Sequence, residues 1–205
     1  MAPCKRRWRY PMQVDRFAVE GPLLLTPRVF GDDRGYFLES WNERGFGQAL
    51  GVEDGEAPVF RQDNQSSSCR GVLRGLHYQL EPEPQGKLVR CVEGEIFDVA
   101  VDIRRSSPTF GQWVGARLSG TDHRQLWVPV GFAHGFLTLS ENAVVLYKAS
   151  GFWNRECERS LRWDDPDLAI DWPRQDLGDQ EILLADKDAA APGLAEAIER
   201  GDVFR

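Results

Sequence analysis

Period-two alternation constrains the middle of this chain more than any other feature. In Glu95-Ile96-Phe97-Asp98-Val99-Ala100-Val101-Asp102-Ile103, one side collects Phe97, Val99, Val101 and Ile103, and the other Ile96, Asp98, Ala100 and Asp102. Alternate residues of a strand point to opposite faces, whereas a helical period of about 3.6 would interleave the two sets. The first set is apolar and the second is mixed, so neither face reads as plainly solvated. Similar runs at residues 23–30, 36–41, 59–63, 72–80, 88–92, 112–118, 125–130 and 144–149 are parted by turn residues such as Gly31-Asp32-Asp33, Gly94 and Glu141-Asn142. Many short strands with frequent turns predict an all-β sandwich, jelly roll or barrel.

Helix signals are few. Residues 42–50 suit one short helix, and residues 192–200 another, with Pro192 near its start and Gly201 just past its end. Residues 163–173 read as an irregular, aromatic-bearing connection that packs on the sheets. With no internal repeat, 205 residues and a 41% hydrophobic share predict one domain, over residues 13–205. Residues 1–12, basic and Pro-containing, are expected to form a flexible extension.

Charge and cysteine usage exclude several classes. A net charge of −7 argues against a general nucleic-acid surface, though a local basic cluster remains free to hold a phosphorylated small molecule. The four cysteines form no Cys-x-x-Cys pair, so reduced thiols in a cytoplasmic protein are the simplest expectation. Lys5, Arg6, Arg7 and Arg9 precede no apolar stretch, and no run approaches membrane-spanning length, so neither a secretory signal nor a membrane partner is expected.

Two of the three histidines lie among apolar, aromatic and Gly neighbours, Arg74-Gly75-Leu76-His77-Tyr78 and Gly131-Phe132-Ala133-His134-Gly135-Phe136. The third, His123, lies in a polar turn and is expected at the surface. Imidazole titrates nearest neutrality, so a sheltered pair suggests proton chemistry. On an ideal strand His77 faces away from Leu76 and Tyr78, into a polar-lined space. Arg74 would fall on the other side unless a bulge at Gly75 re-aims it. Lys87 follows Gly86 at a strand start, where it projects into a barrel mouth or simply into solvent. Tyr147 is either a packing residue or a proton donor. Arg34, Glu39, Gln62 and Asn64 supply planar hydrogen-bonding groups suited to a nucleobase or sugar.

Other chemistries find little support. Metal-binding β-barrels commonly carry two His separated by one residue, then a Glu and a third His, and neither His77 nor His134 has such a partner. Ser66, Ser67 and Ser68 form a polar run without a nucleophile elbow, and no Gly-rich phosphate loop precedes a helix.

Taken together, the ordered segments resemble the dTDP-4-dehydrorhamnose 3,5-epimerase family of the cupin superfamily. The resemblance runs from about residue 24 to residue 192 and is carried by Val29–Ser40 through Gly31-Asp32-Asp33-Arg34-Gly35, then Gln62-Asp63-Asn64, Leu73-Arg74-Gly75-Leu76-His77-Tyr78-Gln79 and Gln85-Gly86-Lys87. Ser107-Pro108-Thr109-Phe110-Gly111, Pro129-Val130-Gly131-Phe132-Ala133-His134-Gly135-Phe136, Trp163-Asp164-Asp165-Pro166 and Lys187-Asp188-Ala189 complete it. It implies a cupin-type double-stranded β-helix with a few short peripheral helices, and a homodimer formed by exchange of N-terminal strands. The implied reaction is epimerisation of dTDP-4-keto-6-deoxyglucose at C3 and C5, without a metal or nicotinamide cofactor. By the family pattern His77 matches the base, Asp188 the carboxylate that orients it, Lys87 the cation beside the ketone oxygen, and Tyr147 the acid on the opposite face. Arg34, Glu39, Gln62, Asn64, Arg74, His134, Glu158 and Lys187 match substrate contacts, some of them supplied across a dimer interface.

One departure stands out. The family commonly has tyrosines near Phe152 and Trp153, and here both hydroxyls are missing. That leaves two other readings beside double epimerisation: a single-centre epimerase of a secondary-metabolite sugar pathway, or a nucleotide-sugar-binding cupin without turnover.

Overall fold

Alternating side chains become two facing antiparallel sheets in the computed structural model, which describes residues 12–53 and 55–205. One sheet has the spatial order β1 (Met12–Arg16), β2 (Leu23–Pro27), β10 (Gln125–Val128), β7 (Lys87–Glu93), β12 (Asn142–Ala149) and β5 (Gln62–Cys69). The other runs β13 (Glu158–Ser160), β6 (Leu73–Gln79), β11 (Phe132–Thr138), β8 (Glu95–Asp102) and β9 (Trp113–Ser119). Neighbours in space are mostly distant in sequence, which is the jelly-roll topology of a double-stranded β-helix, as expected. A separate hairpin pairs β3 (Val29–Asp32) with β4 (Gly35–Leu38). Of the stretch expected to be a flexible extension, residues 1–11 lie outside the described residues, and Met12 begins β1.

The mixed face of residues 95–103 now has its reason: β8 is covered on both sides. Ile96 and Ala100 point between the sheets, among Val89, Leu118, Leu126, Phe136 and Val145. Val99, Val101 and Ile103 point outward, under Leu161, Leu168, Trp172 and Leu194 from the C-terminal segment. Each fully buried aliphatic or aromatic side chain contributes about 1.5–3 kcal/mol, so both faces of this strand stabilise the fold. The remaining outer face carries α1 (Glu43–Leu50), whose Phe46 and Ala49 pack on Leu23, Leu25, Leu88 and Trp127.

Both expected helices form. The Asn42 side chain accepts a hydrogen bond from the Gly45 N–H at the start of α1, and Gly51 ends it in a left-handed conformation. The C-terminal α3 (Leu194–Arg200) stops at Gly201 in the same way. Between them, residues 163–173 contain no regular element, and a short turn of helix, α2 (Asp186–Ala189), follows.

The expected strand at 59–63 is displaced: β5 starts at Gln62 and runs on through the serine stretch to Cys69, paired along its length with β12. Its inward residues, Gln62, Asn64, Ser66 and Ser68, are all polar. Backbone pairing fixes this strand where apolar alternation is missing.

Candidate active site

A bulge at Gly75 builds the site. On β6, Leu73, Leu76 and Tyr78 join the outer core, whereas Arg74 and His77 both line a cavity of about 530 Å³ between the sheets. Two positions of opposite parity share a face only because the β6–β11 register slips between His134 and Phe136. Gly75 sits at φ +135°, and a Cβ there would come within 2.5 Å of the Gly135 Cα. Glycine at both positions therefore lets two backbones meet beside the imidazole.

The cavity holds a half-buried imidazole paired with a buried carboxylate. His77 Nε2 lies 2.6 Å from Asp188 Oδ1, and the Gly75 N–H reaches Asp188 Oδ2 at 3.4 Å. A carboxylate offers no proton, so Nε2–H donates and the ring's other nitrogen, Nδ1, is left as the basic site. Burial holds His77 below the ordinary histidine range, against the opposing pull of Asp188, so the ring is a neutral base at neutral pH. Burial alone would raise Asp188, but the His77 hydrogen bond and charge, with the Gly75 N–H, bring it below its ordinary range. Asp188 comes from α2, 111 residues away in sequence.

A second pair lies directly beside the first. His134 is the cross-strand partner of His77, and its Nε2 sits 2.7 Å from Asp98 Oδ1, both residues being buried. From the facing sheet come Lys87 and Tyr147. The Lys87 ammonium reaches across to the His77 carbonyl oxygen at 3.3 Å, and burial lowers its pKa to about 8. Burial raises the Tyr147 phenol, so it keeps its proton through the neutral range. Base and phenol thus approach one cavity from opposite sheets, and the Lys87 ammonium lines the same cavity.

The polar inner face of β5 supports the mouth of the cavity. Ser68 Oγ accepts from Arg74 Nε at 3.0 Å, and the Ser67 carbonyl accepts from the same guanidinium at 3.4 Å. Gln62 donates to Asn64 Oδ1 at 2.8 Å and accepts from the Trp153 N–H at 3.0 Å. Lys187 Nζ donates to Glu158 Oε1 at 3.3 Å. Trp153, 56% exposed, lines the rim with its indole, and Phe152 beside it is similarly exposed.

Of the residues singled out from sequence, Asn64, Arg74, His77 and Lys87 line this cavity, and so do His134, Tyr147, Glu158, Lys187 and Asp188. Gln62 stands behind Asn64 at its rim. Arg34 and Glu39 do not line it: Arg34 sits at the tip of the β3–β4 hairpin, paired with Asp32, and Glu39 follows the hairpin. His123, expected at the surface, is half-buried, its ring 4.8 Å from that of Tyr36. Two residues were missed. Ser68 lay in a run without a catalytic pattern, and Asp98 was visible only as an acidic residue on the mixed face of β8. Among the described residues, no group of three His, Cys, Asp or Glu side chains gathers as a metal site requires.

Comparison with known proteins agrees with this geometry. The family model described as dTDP-4-dehydrorhamnose 3,5-epimerase matches residues 16–196. A dTDP-4-dehydrorhamnose 3,5-epimerase of Pseudomonas aeruginosa is 56% identical over 187 residues, covering 91% of this chain and 98% of its own. The crystal structure of a dTDP-6-deoxy-D-glucose-3,5-epimerase from Legionella pneumophila in complex with dTDP-4-keto-L-rhamnose superposes with a TM-score of 0.86 at 46% identity, covering 95% of this chain and 98% of that one. A 3'-monoepimerase from Streptomyces bikiniensis, in complex with dTDP-quinovose, has a TM-score of 0.82 at 35% identity, over 92% and 91% of the two chains.

Proposed function

Since the chain belongs to the dTDP-4-dehydrorhamnose 3,5-epimerase family, we propose that its cavity epimerises dTDP-4-keto-6-deoxy-D-glucose at C3 and C5, giving dTDP-4-keto-L-rhamnose. The observation that carries this reading is that the Asp188-bound His77 and Tyr147 line one cavity from opposite sheets, with the Lys87 ammonium in the same cavity.

The ketone at C4 acidifies the hydrogens on both neighbouring carbons, so one set of groups serves two centres. His77 Nδ1 takes the proton, and the electron pair moves into an enolate. Asp188 stabilises the imidazolium that forms. Lys87 meets the enolate oxygen as a cation in a water-poor site, where such a contact is worth most. Tyr147 then gives its phenolic proton to the opposite face of the carbon, inverting it. Proton exchange with solvent returns His77 to its neutral form and Tyr147 to the phenol. No step requires electron transfer.

Substrate recognition divides along the cavity. Arg74, fixed by Ser67 and Ser68, and Lys187 supply positive charge for the diphosphate. Asn64, Gln62 and Glu158 offer planar hydrogen-bonding groups to the nucleoside and sugar, and His134 lines the sugar end beside His77. Loss of hydroxyls at Phe152 and Trp153 leaves all the proton-transfer groups in place, and identity to the 3,5-epimerases exceeds that to the monoepimerase. Those points favour double inversion over a single-centre enzyme or a binder without turnover.

We further propose a homodimer with exchanged N-terminal strands. Val29, Phe30, Tyr36 and Phe37 are 41%, 49%, 63% and 67% exposed on the β3–β4 hairpin, an apolar patch that a second copy would cover. Among the described residues, β1 forms an edge of its sheet. Such a partner explains why Arg34 and Glu39 lie outside their own cavity, since they would complete the neighbour's. A cytoplasmic location goes with this reading: Cys69, Cys91 and Cys157 are free thiols, and no described helix is long and apolar enough to cross a membrane.

The direct test is turnover. Purified protein given dTDP-4-keto-6-deoxy-D-glucose should yield a product that a rhamnose-forming 4-ketoreductase consumes. Tight binding of the nucleotide sugar without any product would replace the enzyme reading by the binding one.

A further inference from the structure

Asp98 takes no place in the proton transfers above, yet it is a carboxylate with no exposed surface in the middle of the sandwich. Its place on β8 is that of an inward residue, between Ile96 and Ala100 in the apolar filling of the two sheets. Oδ1 accepts from His134 Nε2 at 2.7 Å, while Oδ2 is buried with no hydrogen-bond partner among the described residues. An isolated buried anion is strongly unfavourable, so a cation must compensate it. The cation available in the same cavity is Lys87: it forms no direct ion pair with Asp98, but it is bound to the carbonyl of His77, whose cross-strand partner is the His134 that Asp98 holds. The lysine enters from the facing sheet, makes one hydrogen bond, to the His77 carbonyl, and has Asp98 as the strongest charge opposing its desolvation, ahead of Glu158.

The geometry points to Asp98 as the positioning residue of the oxyanion side: its carboxylate fixes the His134 ring and supplies the buried negative charge that keeps Lys87 an ammonium. The inference rests on the epimerase reading for its kinetic consequence, but not for the coupling of Asp98 to Lys87. Without Asp98 the cation would meet the cationic Lys187 and Arg74, with Glu158 as its remaining counter-charge and Asp188 engaged by His77. The other titratable groups of the cavity, His77, His134 and Tyr147, carry no negative charge at neutral pH. Two His–Asp pairs in one cavity then have different duties: Asp188 tunes a base, and Asp98 sustains the cation that holds the enolate.

Asp98→Asn tests this, because an amide oxygen still accepts from His134 while the charge is gone. The rate constant kcat/KM is followed against pH, and the Lys87 Cε resonance is followed in protein carrying 13C-labelled lysine. In the variant the alkaline limb should move down by about one pH unit or more, lowering the rate near pH 8 about tenfold relative to wild type while leaving it within about threefold near pH 6. The Lys87 resonance should shift its midpoint in parallel. Asp98→Glu, which keeps the charge, should retain the wild-type midpoint. An unmoved Lys87 midpoint in Asp98→Asn, or an equal displacement in both variants, overturns the proposal. If neither variant folds, the Lys87 resonance of Glu158→Gln decides: a midpoint little changed from wild type supports the proposal, and a fall of about one unit or more, which would make Glu158 the main counter-charge, overturns it. Wild-type protein without turnover defeats the epimerase reading alone, since the resonance still reports the coupling.

Discussion

His77 and His134 stand opposite each other on neighbouring strands, and each is bound through Nε2 to its own buried carboxylate, Asp188 at 2.6 Å and Asp98 at 2.7 Å. Identical side chains in one cavity thereby acquire different surroundings. His77 is partly open to the cavity and near Lys87 and Lys187, which, together with burial, oppose its protonation. His134 is almost fully buried.

That asymmetry predicts the pH profile. The active form needs neutral His77 and charged Lys87. His77 is held below 6.5, so kcat/KM should rise with pH through a midpoint beneath the ordinary histidine value. Lys87 titrates at about 8, so the rate should fall again above that pH. Initial-rate measurements across the range check both limbs; a plateau extending well past the lysine midpoint would remove Lys87 from its role.

Removing the phenol should separate two observables. Tyr147→Phe leaves His77 and Lys87 intact, so hydrogen exchange next to the ketone should persist while inversion falls by about 10²–10⁴-fold. Solvent-exchange NMR and product analysis read the two quantities separately. Equal losses in both would contradict the assignment of Tyr147 to the far face.

Gly75→Ala should cost stability and activity together. The residue would sit at φ +135° with its Cβ 2.5 Å from the Gly135 Cα, and relief would require the bulge to move. A destabilisation of about 2 kcal/mol or more is expected, seen as a fall in Tm of roughly 4–8 °C. Activity should drop further than stability, because the same bulge aims Arg74 and His77. An unchanged melting curve would show that the backbone tolerates a side chain here.

The dimer is checked by light scattering at micromolar concentration. A stable monomer would leave the apolar hairpin unexplained. Replacing Phe37 with a charged residue should weaken association and, if Arg34 and Glu39 serve the partner's cavity, raise KM with it.

Much of this was legible in the residues, and the exceptions have physical causes. β8 was readable because its period is two, while β11 was not, because every residue of Phe132–Thr138 is buried and no alternation survives. Residues 64–69 of β5 were missed for the opposite reason: their polar inner face belongs to a ligand cavity and a guanidinium anchor. The Gly75 bulge was foreseen as the condition under which Arg74 and His77 share a face, and the register slip supplies it. Asp188 lies in a four-residue helix with no periodicity, so only the family resemblance marked it. Asp98 carried a faint signal, an acid at an inward strand position, whose meaning depended on a cation arriving from another sheet.

The central claim is that one base, His77, opens both carbons beside the ketone. Incubation of dTDP-4-keto-6-deoxy-D-glucose with the protein in deuterated water, followed by NMR, tests it most directly. The account predicts deuterium at both C3 and C5 in an L-configured product. It predicts loss of incorporation at both carbons, by about 10²–10⁴-fold, in His77→Asn. Lasting incorporation at a single carbon, or undiminished exchange at either carbon in the His77 variant, would contradict it.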